Sequence, residues 1–190
     1  MFTIGIDFDG VVGSLADYLE GGDQYAHWHL ALSTEEDQMA KLGHEKEVCI
    51  EHTHTHKEKH VDKSSPIYLR AIPGALEGLR VLCESGYSIF IATARTPLGA
   101  LHARHWLLEN GIDIPVVSTA QENTKASTLK KHNAIVHFDD MPQMLEDLDP
   151  HVPHRFLLHA HYNADLPIAQ GVIRVNSWQE FITAVLTINS

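Results

Sequence analysis

Cysteine is scarce in this 190-residue chain: Cys49 and Cys83 are the only two. One disulfide is the most they could form, so a disulfide-stapled secreted scaffold is excluded and a reducing compartment fits better. Basic residues are also few. Fourteen Lys plus Arg stand against twenty-five Asp plus Glu, a formal charge of −11, which disfavours non-specific adherence to polynucleotides or anionic membranes. No apolar run reaches the roughly 18 residues of a membrane span, and Met1 is followed by neither a basic n-region nor a small-residue cleavage site. The expectation is a soluble, cytoplasmic protein with no membrane or polynucleotide partner. No internal repeat is evident. With 44% hydrophobic and 21% charged residues, a folded core is expected instead of disorder.

Histidine is abundant by contrast, with fifteen copies. Protonating all of them would move the formal charge from −11 to +4, so solubility or surface behaviour should change between about pH 7 and pH 5.5. Four of them, His52, His54, His56 and His60, fall within nine residues, and His56 and His60 stand four apart and invite a zinc reading. No four-ligand set with cysteines accompanies them, so a solvated segment is the competing reading.

Hydrophobic patterning organises the rest. Phe2 to Phe8 is an apolar run stopped by Asp9-Gly10, as expected of a buried strand. Helix-then-strand units follow: a helix from Gly74 to Glu84 before the strand Tyr87–Ala92, and a helix from Pro97 to Glu109 before a short strand near Val116-Val117. Next come a helix from Thr124 to Lys131 and a strand from Ala134 to Phe138. A helix over Met141 to Leu148 and strands at Phe156–Leu158 and Val172–Val175 complete the alternation, which predicts a doubly wound parallel α/β sheet. The final helix opens on a capping box, Ser177 and Glu180, and its apolar face reads as pure packing. Residues 13–70 break the pattern. They hold two amphipathic segments, about 15–32 and 34–42, and then the His-rich tract, so they read as a small helical insertion that rejoins the sheet between Pro66 and Pro73. The core is accordingly expected at 1–12 with 71–190.

Three predicted strands end in polar residues: Asp7-Phe8-Asp9-Gly10, Thr93-Ala94-Arg95 and Asp139-Asp140. The carboxyl ends of parallel strands share one crevice, so these groups are expected to converge. Gly10 permits a turn that lets Asp7 and Asp9 enter the same site. Each has a plainer reading. Asp139 and Asp140 suit a helix N-cap before Pro142, Thr93 suits a strand end, and Arg95 suits an ordinary ion pair. Lys125 is the favoured lysine, with Lys130 and Lys131 as alternatives nearer the aspartate pair. His27, Trp28 and His29 are open between substrate contact and packing.

In this order, the Asp7-x-Asp9-Gly10-Val11-Val12 opening, Thr93, a lysine and Asp139-Asp140 resemble the four motifs of the haloacid dehalogenase-like (HAD) superfamily, and the insertion matches its C1 cap. Pro73–Leu76, Phe138–Pro142, Ala160–Asn163 and the Ser177-Trp178 helix are similar to the cytosolic-type 5'(3')-deoxyribonucleotidase family. The resemblance implies a Rossmann-like HAD core and a phosphomonoesterase in which Asp7 is the nucleophile that forms an aspartyl-phosphate and Asp9 the acid and base. It also implies Mg²⁺ held by Asp7, the Asp9 backbone carbonyl and the Asp139-Asp140 pair, with Asp140 first choice. Gly10, Thr93, Ala94 and Lys125 would bind the phosphoryl oxygens. Arg95 departs from the nucleotidase pattern and would hold a second anionic group of the substrate. Dehalogenases lack the second acid, and no cap lysine suggests a phosphonatase. A nucleoside monophosphate is the favoured small phosphorylated substrate. A phosphotransferase, or a silent metal- or pH-responsive binding module, are the alternatives.

Overall fold

The computed structural model describes residues 2–14, 70–120, 124–146, 148 and 150–188. The chain divides into a unit made of Met1–Ser14 with Ala71–Ser190 and a second unit, Leu15–Arg70. The two expected helical segments, the His-rich tract and His27, Trp28 and His29 fall in the second and lie outside the described residues.

Along the described residues, β1 (Thr3–Ile6) is followed by β2 (Gly13–Ser14) and β3 (Arg70–Ala71), then α1 (Ala75–Glu84), β4 (Ser88–Thr93), α2 (Pro97–Glu109) and β5 (Val116–Ser118). Beyond these come α3 (Lys125–Lys131), β6 (Ala134–Asp139), α4 (Pro142–Glu146), β7 (His154–Leu158), a 3-10 turn (His161–Asn163), β8 (Val172–Val175) and α5 (Trp178–Thr187). Six strands form one sheet in the order β5-β4-β1-β6-β7-β8, and every pairing in it is parallel. The chain builds outward from β1 on one side through β4 and β5, then crosses over to build β6, β7 and β8 on the other. That reversal opens the crevice at the carboxyl ends of β1, β4 and β6.

The helices form where caps and periodicity coincide. Thr96 accepts the Gly99 N–H at the start of α2, with Pro97 in the first turn, and Thr124 accepts the Ser127 N–H at the start of α3, each satisfying an orphan donor. The buried positions of α1 (Ala75, Gly78, Leu79, Leu82) and of α5 (Trp178, Phe181, Ile182, Val185) each trace one helical stripe, and the two helices pack together. Gly78 permits the close approach, since a Cβ there would run into the Trp178 ring. Phe138, Phe156, Trp178 and Phe181 make a ring cluster against β6 and β7, with Phe138 and Phe181 stacked at 3.9 Å. Phe90, Leu129, Leu145 and Leu157 belong to a second apolar cluster. No helix among the described residues is long and apolar enough to cross a membrane.

Three local expectations change. Arg70 and Ala71 do not rejoin the main sheet; they pair with Gly13–Ser14 in a separate two-stranded ribbon, because Ile72 donates to the Val12 carbonyl beside that turn. The Ser177 cap accepts the Glu180 N–H at 3.2 Å, but Glu180 reaches one residue further back, to the Asn176 N–H at 2.7 Å. Nor is α5 packing alone. Trp178 Nε1 donates to the Val11 carbonyl at 2.7 Å, tying this helix to the loop after β1.

Trp178→Phe keeps most of the ring volume and strands that buried carbonyl. We expect a loss of about 2 kcal/mol from the unmade hydrogen bond and the smaller ring, or roughly 4–8 °C in a thermal melt of a domain this size. An unchanged melting temperature would show that the tie contributes nothing.

Candidate active site

Asp7 directly follows β1, and its backbone N–H continues the ladder by donating to Phe138 of β6 at 2.8 Å. The chain then reverses at once: Val12 and Gly13 N–H groups both donate to the Phe8 carbonyl. Gly10 sits at φ +76° in this turn, and a Cβ on it would overlap the Asp140 carboxylate and crowd the Tyr162 hydroxyl. Both its conformation and its space therefore call for glycine. Asp139 ends β6, and Asp140 follows it.

Asp7, Asp139 and Asp140 are buried, and one carboxylate oxygen from each lies within 4.8 Å of the others. Lys125, at the first position of α3, sends its ammonium between them, 2.7 Å from Asp7 Oδ1 and 2.6 Å from Asp139 Oδ2. A cation at a helix N-terminus opposes the macrodipole, so the two carboxylates must hold it there. Lys130 and Lys131 instead occupy the exposed last turn of α3, where their charge suits the dipole, and neither enters the site.

Three carboxylates against one ammonium leave two negative charges uncompensated when all are ionised. Burial chiefly, with help from Asp139, raises the Asp7 carboxyl to about 7. Burial and its two acidic neighbours push Asp140 well above the carboxylate range. For Asp139 burial acts in the same direction, but Lys125 and His137 outweigh it and hold the group low. Burial would lower Lys125, and Asp139 and Asp7 overcome that and raise it. Asp7 Oδ2 and Asp140 Oδ1 are buried with no hydrogen-bond partner. Two orphaned anionic oxygens beside an unbalanced negative charge are the donor set a hard divalent cation takes. Asp7 and Asp140 would hold it.

The Asp9 carboxyl does not join this group. Arg95 grips it with two hydrogen bonds, Nε to Oδ2 at 2.8 Å and Nη2 to Oδ1 at 2.6 Å, and lies over the Phe8 ring. Arg95, expected to meet a substrate anion, is engaged here in an internal ion pair, and Asp9 itself could offer a cation only its backbone carbonyl. Thr93 is fully buried, and its Oγ1 accepts the Arg95 N–H at 3.2 Å, leaving the hydroxyl hydrogen available to donate. Ala94 follows it at the strand end, partly exposed.

Sequence reasoning passed over two contributors. His137 is fully buried, with Nδ1 at 2.9 Å from the Gly5 carbonyl and Nε2 at 3.0 Å from Asp139 Oδ2; burial lowers its pKa. It precedes Asp139 by two residues on a strand, hence on the same face, and that parity was the available signal. Tyr162 donates its hydroxyl to Asp140 Oδ2, from a turn far along the chain that no local pattern connects to the aspartates.

No family model matches the chain. A protein of Oceanobacillus iheyensis named as a putative nucleotidase is 27% identical over 122 residues, 62% of this chain. The match spans about 60% of that relative's length. Among solved structures, a D,D-heptose 1,7-bisphosphate phosphatase from Burkholderia thailandensis is similar with a TM-score of 0.57 at 14% identity, covering 98% of this chain and 99% of that one. A haloacid dehalogenase-like family hydrolase from Streptococcus pneumoniae reaches 0.60 at 13% identity, covering 97% and 98%. Likeness at such identities speaks for the fold. The fold is thus the one seen in that haloacid dehalogenase-like hydrolase and in the heptose bisphosphate phosphatase.

Proposed function

We propose that the protein is a Mg²⁺-dependent phosphomonoesterase that works through an aspartyl-phosphate on Asp7 and acts on a small phosphorylated metabolite, a nucleoside monophosphate being the leading candidate. One observation carries the reading. Asp7 has one oxygen fixed by Lys125 while the other is buried and unbonded just past the carboxyl end of β1. A carboxylate needs no base to activate it, but it must approach a phosphate that is itself anionic. Bound Mg²⁺ would supply the positive charge that lets the two anions meet. The phosphatase and the hydrolase among the similar structures, with the relative from Oceanobacillus named as a nucleotidase, favour this substrate class.

The remaining groups divide the work. Lys125, with the Thr93 hydroxyl and the Ala94 N–H, would bind the phosphoryl oxygens as their charge redistributes; the Gly10 N–H, expected to join them, instead donates to the Gly13 carbonyl at 3.0 Å. Asp9 would give a proton to the leaving alcohol and later take one from the attacking water. Arg95 holds that carboxyl through two hydrogen bonds. For the first step that pair must open, and an incoming substrate anion competing for Arg95 is the means at hand. Among the nucleotides, sugar phosphates and other phosphorylated metabolites of a phosphate-release screen, nucleoside monophosphates are the expected preference.

Phosphate release from p-nitrophenyl phosphate should require Mg²⁺ and fall by about 10⁴-fold or more in Asp7→Asn, as for removal of other nucleophiles. A wild type no faster than that variant would remove the enzymatic reading. Lys125→Met removes the ammonium that two buried carboxylates share, so it should cost about 3–5 kcal/mol of stability along with activity; an undiminished unfolding midpoint in urea would contradict the bridge.

Proton and cation should compete at Asp7. With its carboxyl raised to about 7, the folded protein holds a proton there that the unfolded chain, with an ordinary carboxyl near 4, has released. That contribution to metal-free stability is full below about pH 4 and is lost as pH rises through 7. Asp140 shifts in the same direction. A cation must displace these protons, so the rise in melting temperature on adding Mg²⁺ should grow from about pH 5 to pH 7 and then level. A gain that is flat over this range would refute the competition.

A further inference from the structure

Tyr162 takes no part in the chemistry above, yet it governs the third carboxylate. Its hydroxyl donates to Asp140 Oδ2, while Asp140 Oδ1 is buried and free. The 3-10 turn that carries it is itself pinned. Asn163 Nδ2 donates to the carbonyls of Asp140 and Leu158, both at 2.8 Å. Asn163 Oδ1 accepts the Ala160 N–H at 3.0 Å and Arg174 Nη1 at 2.8 Å, and Arg174 also holds the Asn163 and Leu166 carbonyls. Asp140 is thus fixed through its backbone by Asn163 and through one side-chain oxygen by Tyr162.

The same economy holds across the cluster. Asp7 has Oδ1 engaged by Lys125 and only Oδ2 free. Asp139 has no free oxygen, since Oδ2 meets Lys125 and His137, and Oδ1 accepts the Met141 N–H. The side chains of this site therefore offer a cation single oxygens from Asp7 and Asp140, and no carboxylate can chelate with both. Ca²⁺ takes six to eight ligands in flexible geometry, often with two-oxygen carboxylates, whereas Mg²⁺ takes six at shorter distance and keeps several waters.

We propose that Tyr162 is a positioning residue that confines Asp140 to one-oxygen ligation and thereby makes the site choose Mg²⁺ over Ca²⁺. This rests on the divalent-cation site of the proposed function and adds the residue that sets its selectivity. Without the hydroxyl, Asp140 can turn both oxygens toward a larger ion. Asn163 would still hold the backbone, so the loss concerns the kind of ligation, not the place of the residue.

The test is calorimetric titration of the metal-stripped full chain with Mg²⁺ and, separately, Ca²⁺, for wild type, Tyr162→Phe and Asp140→Asn, with melting curves to establish folding. Wild type should bind Mg²⁺ at a site that Asp140→Asn weakens. In Tyr162→Phe the ratio of Ca²⁺ to Mg²⁺ affinity should rise about tenfold, the scale on which outer-shell partners act. A ratio within error of wild type overturns the proposal, even if both affinities fall together, as a merely structural role would make them do; the metal site would survive that result. A wild type that binds no Mg²⁺ at all overturns the metal reading and this proposal with it. Should Tyr162→Phe not fold, a crystal structure of wild type soaked in Mn²⁺ decides the matter. Single-oxygen ligation by Asp140 with Tyr162 still bonded to its other oxygen is expected, and two-oxygen chelation by Asp140 overturns the proposal.

Discussion

A single ammonium group stands between two buried carboxylates, and the rest of this structure is arranged to keep it there. Lys125 contacts Asp7 and Asp139, and all three side chains are almost closed to solvent. An isolated charge in such surroundings costs many kcal/mol by Born solvation. The bridge offsets part of that cost for two of the acids and leaves Asp140 Oδ1 and the second oxygen of Asp7 unserved. On the proposed reading, that imbalance is what gives the site its chemistry. A cluster neutralised from within would have no call on a cation and no carboxylate oxygen to spare for bond formation.

Three elements distant in sequence must meet within a few ångströms for this bridge to form. Parallel pairing of β1 with β6 sets Asp7 beside the end of the strand that carries Asp139. The Thr124 cap fixes where α3 begins and hence where Lys125 projects. Behind the turn after Asp7, Trp178 of the last helix holds the Val11 carbonyl, and the ring cluster of Phe138, Phe156 and Phe181 anchors that helix on the sheet. Packing thus reaches the site through one indole hydrogen bond. Gly10 completes the arrangement by leaving room where a side chain would collide with Asp140.

Much of this was legible from residue order alone. Apolar runs that stop at Asp7, Thr93 and Asp139 mark strand ends, and parallel α/β logic brings strand ends together. Thr124-Lys125 at a helix start and Lys130-Lys131 at its end were separable by the dipole argument, and the structure places them accordingly. What escaped depends on partners that pattern does not name. Arg95 finds Asp9 across the crevice, 86 residues away. Tyr162 and Asn163 reach Asp140 from a turn whose path is set by β7, β8 and Arg174. The ribbon of Gly13–Ser14 with Arg70–Ala71 could not be foreseen because two-residue strands carry no periodicity. His137 was readable, by its two-residue offset from Asp139, but a lone histidine in an apolar strand looks like core.

The central claim is that Asp7 carries the phosphoryl group during turnover. Rapid acid quench of the enzyme with a phosphate monoester, followed by mass spectrometry of the digested peptides, tests it most directly. The account predicts a phosphoryl group on the peptide containing Asp7, absent when the substrate is omitted. Steady release of phosphate with no such adduct at any quench time, or with the adduct on another residue, would contradict it.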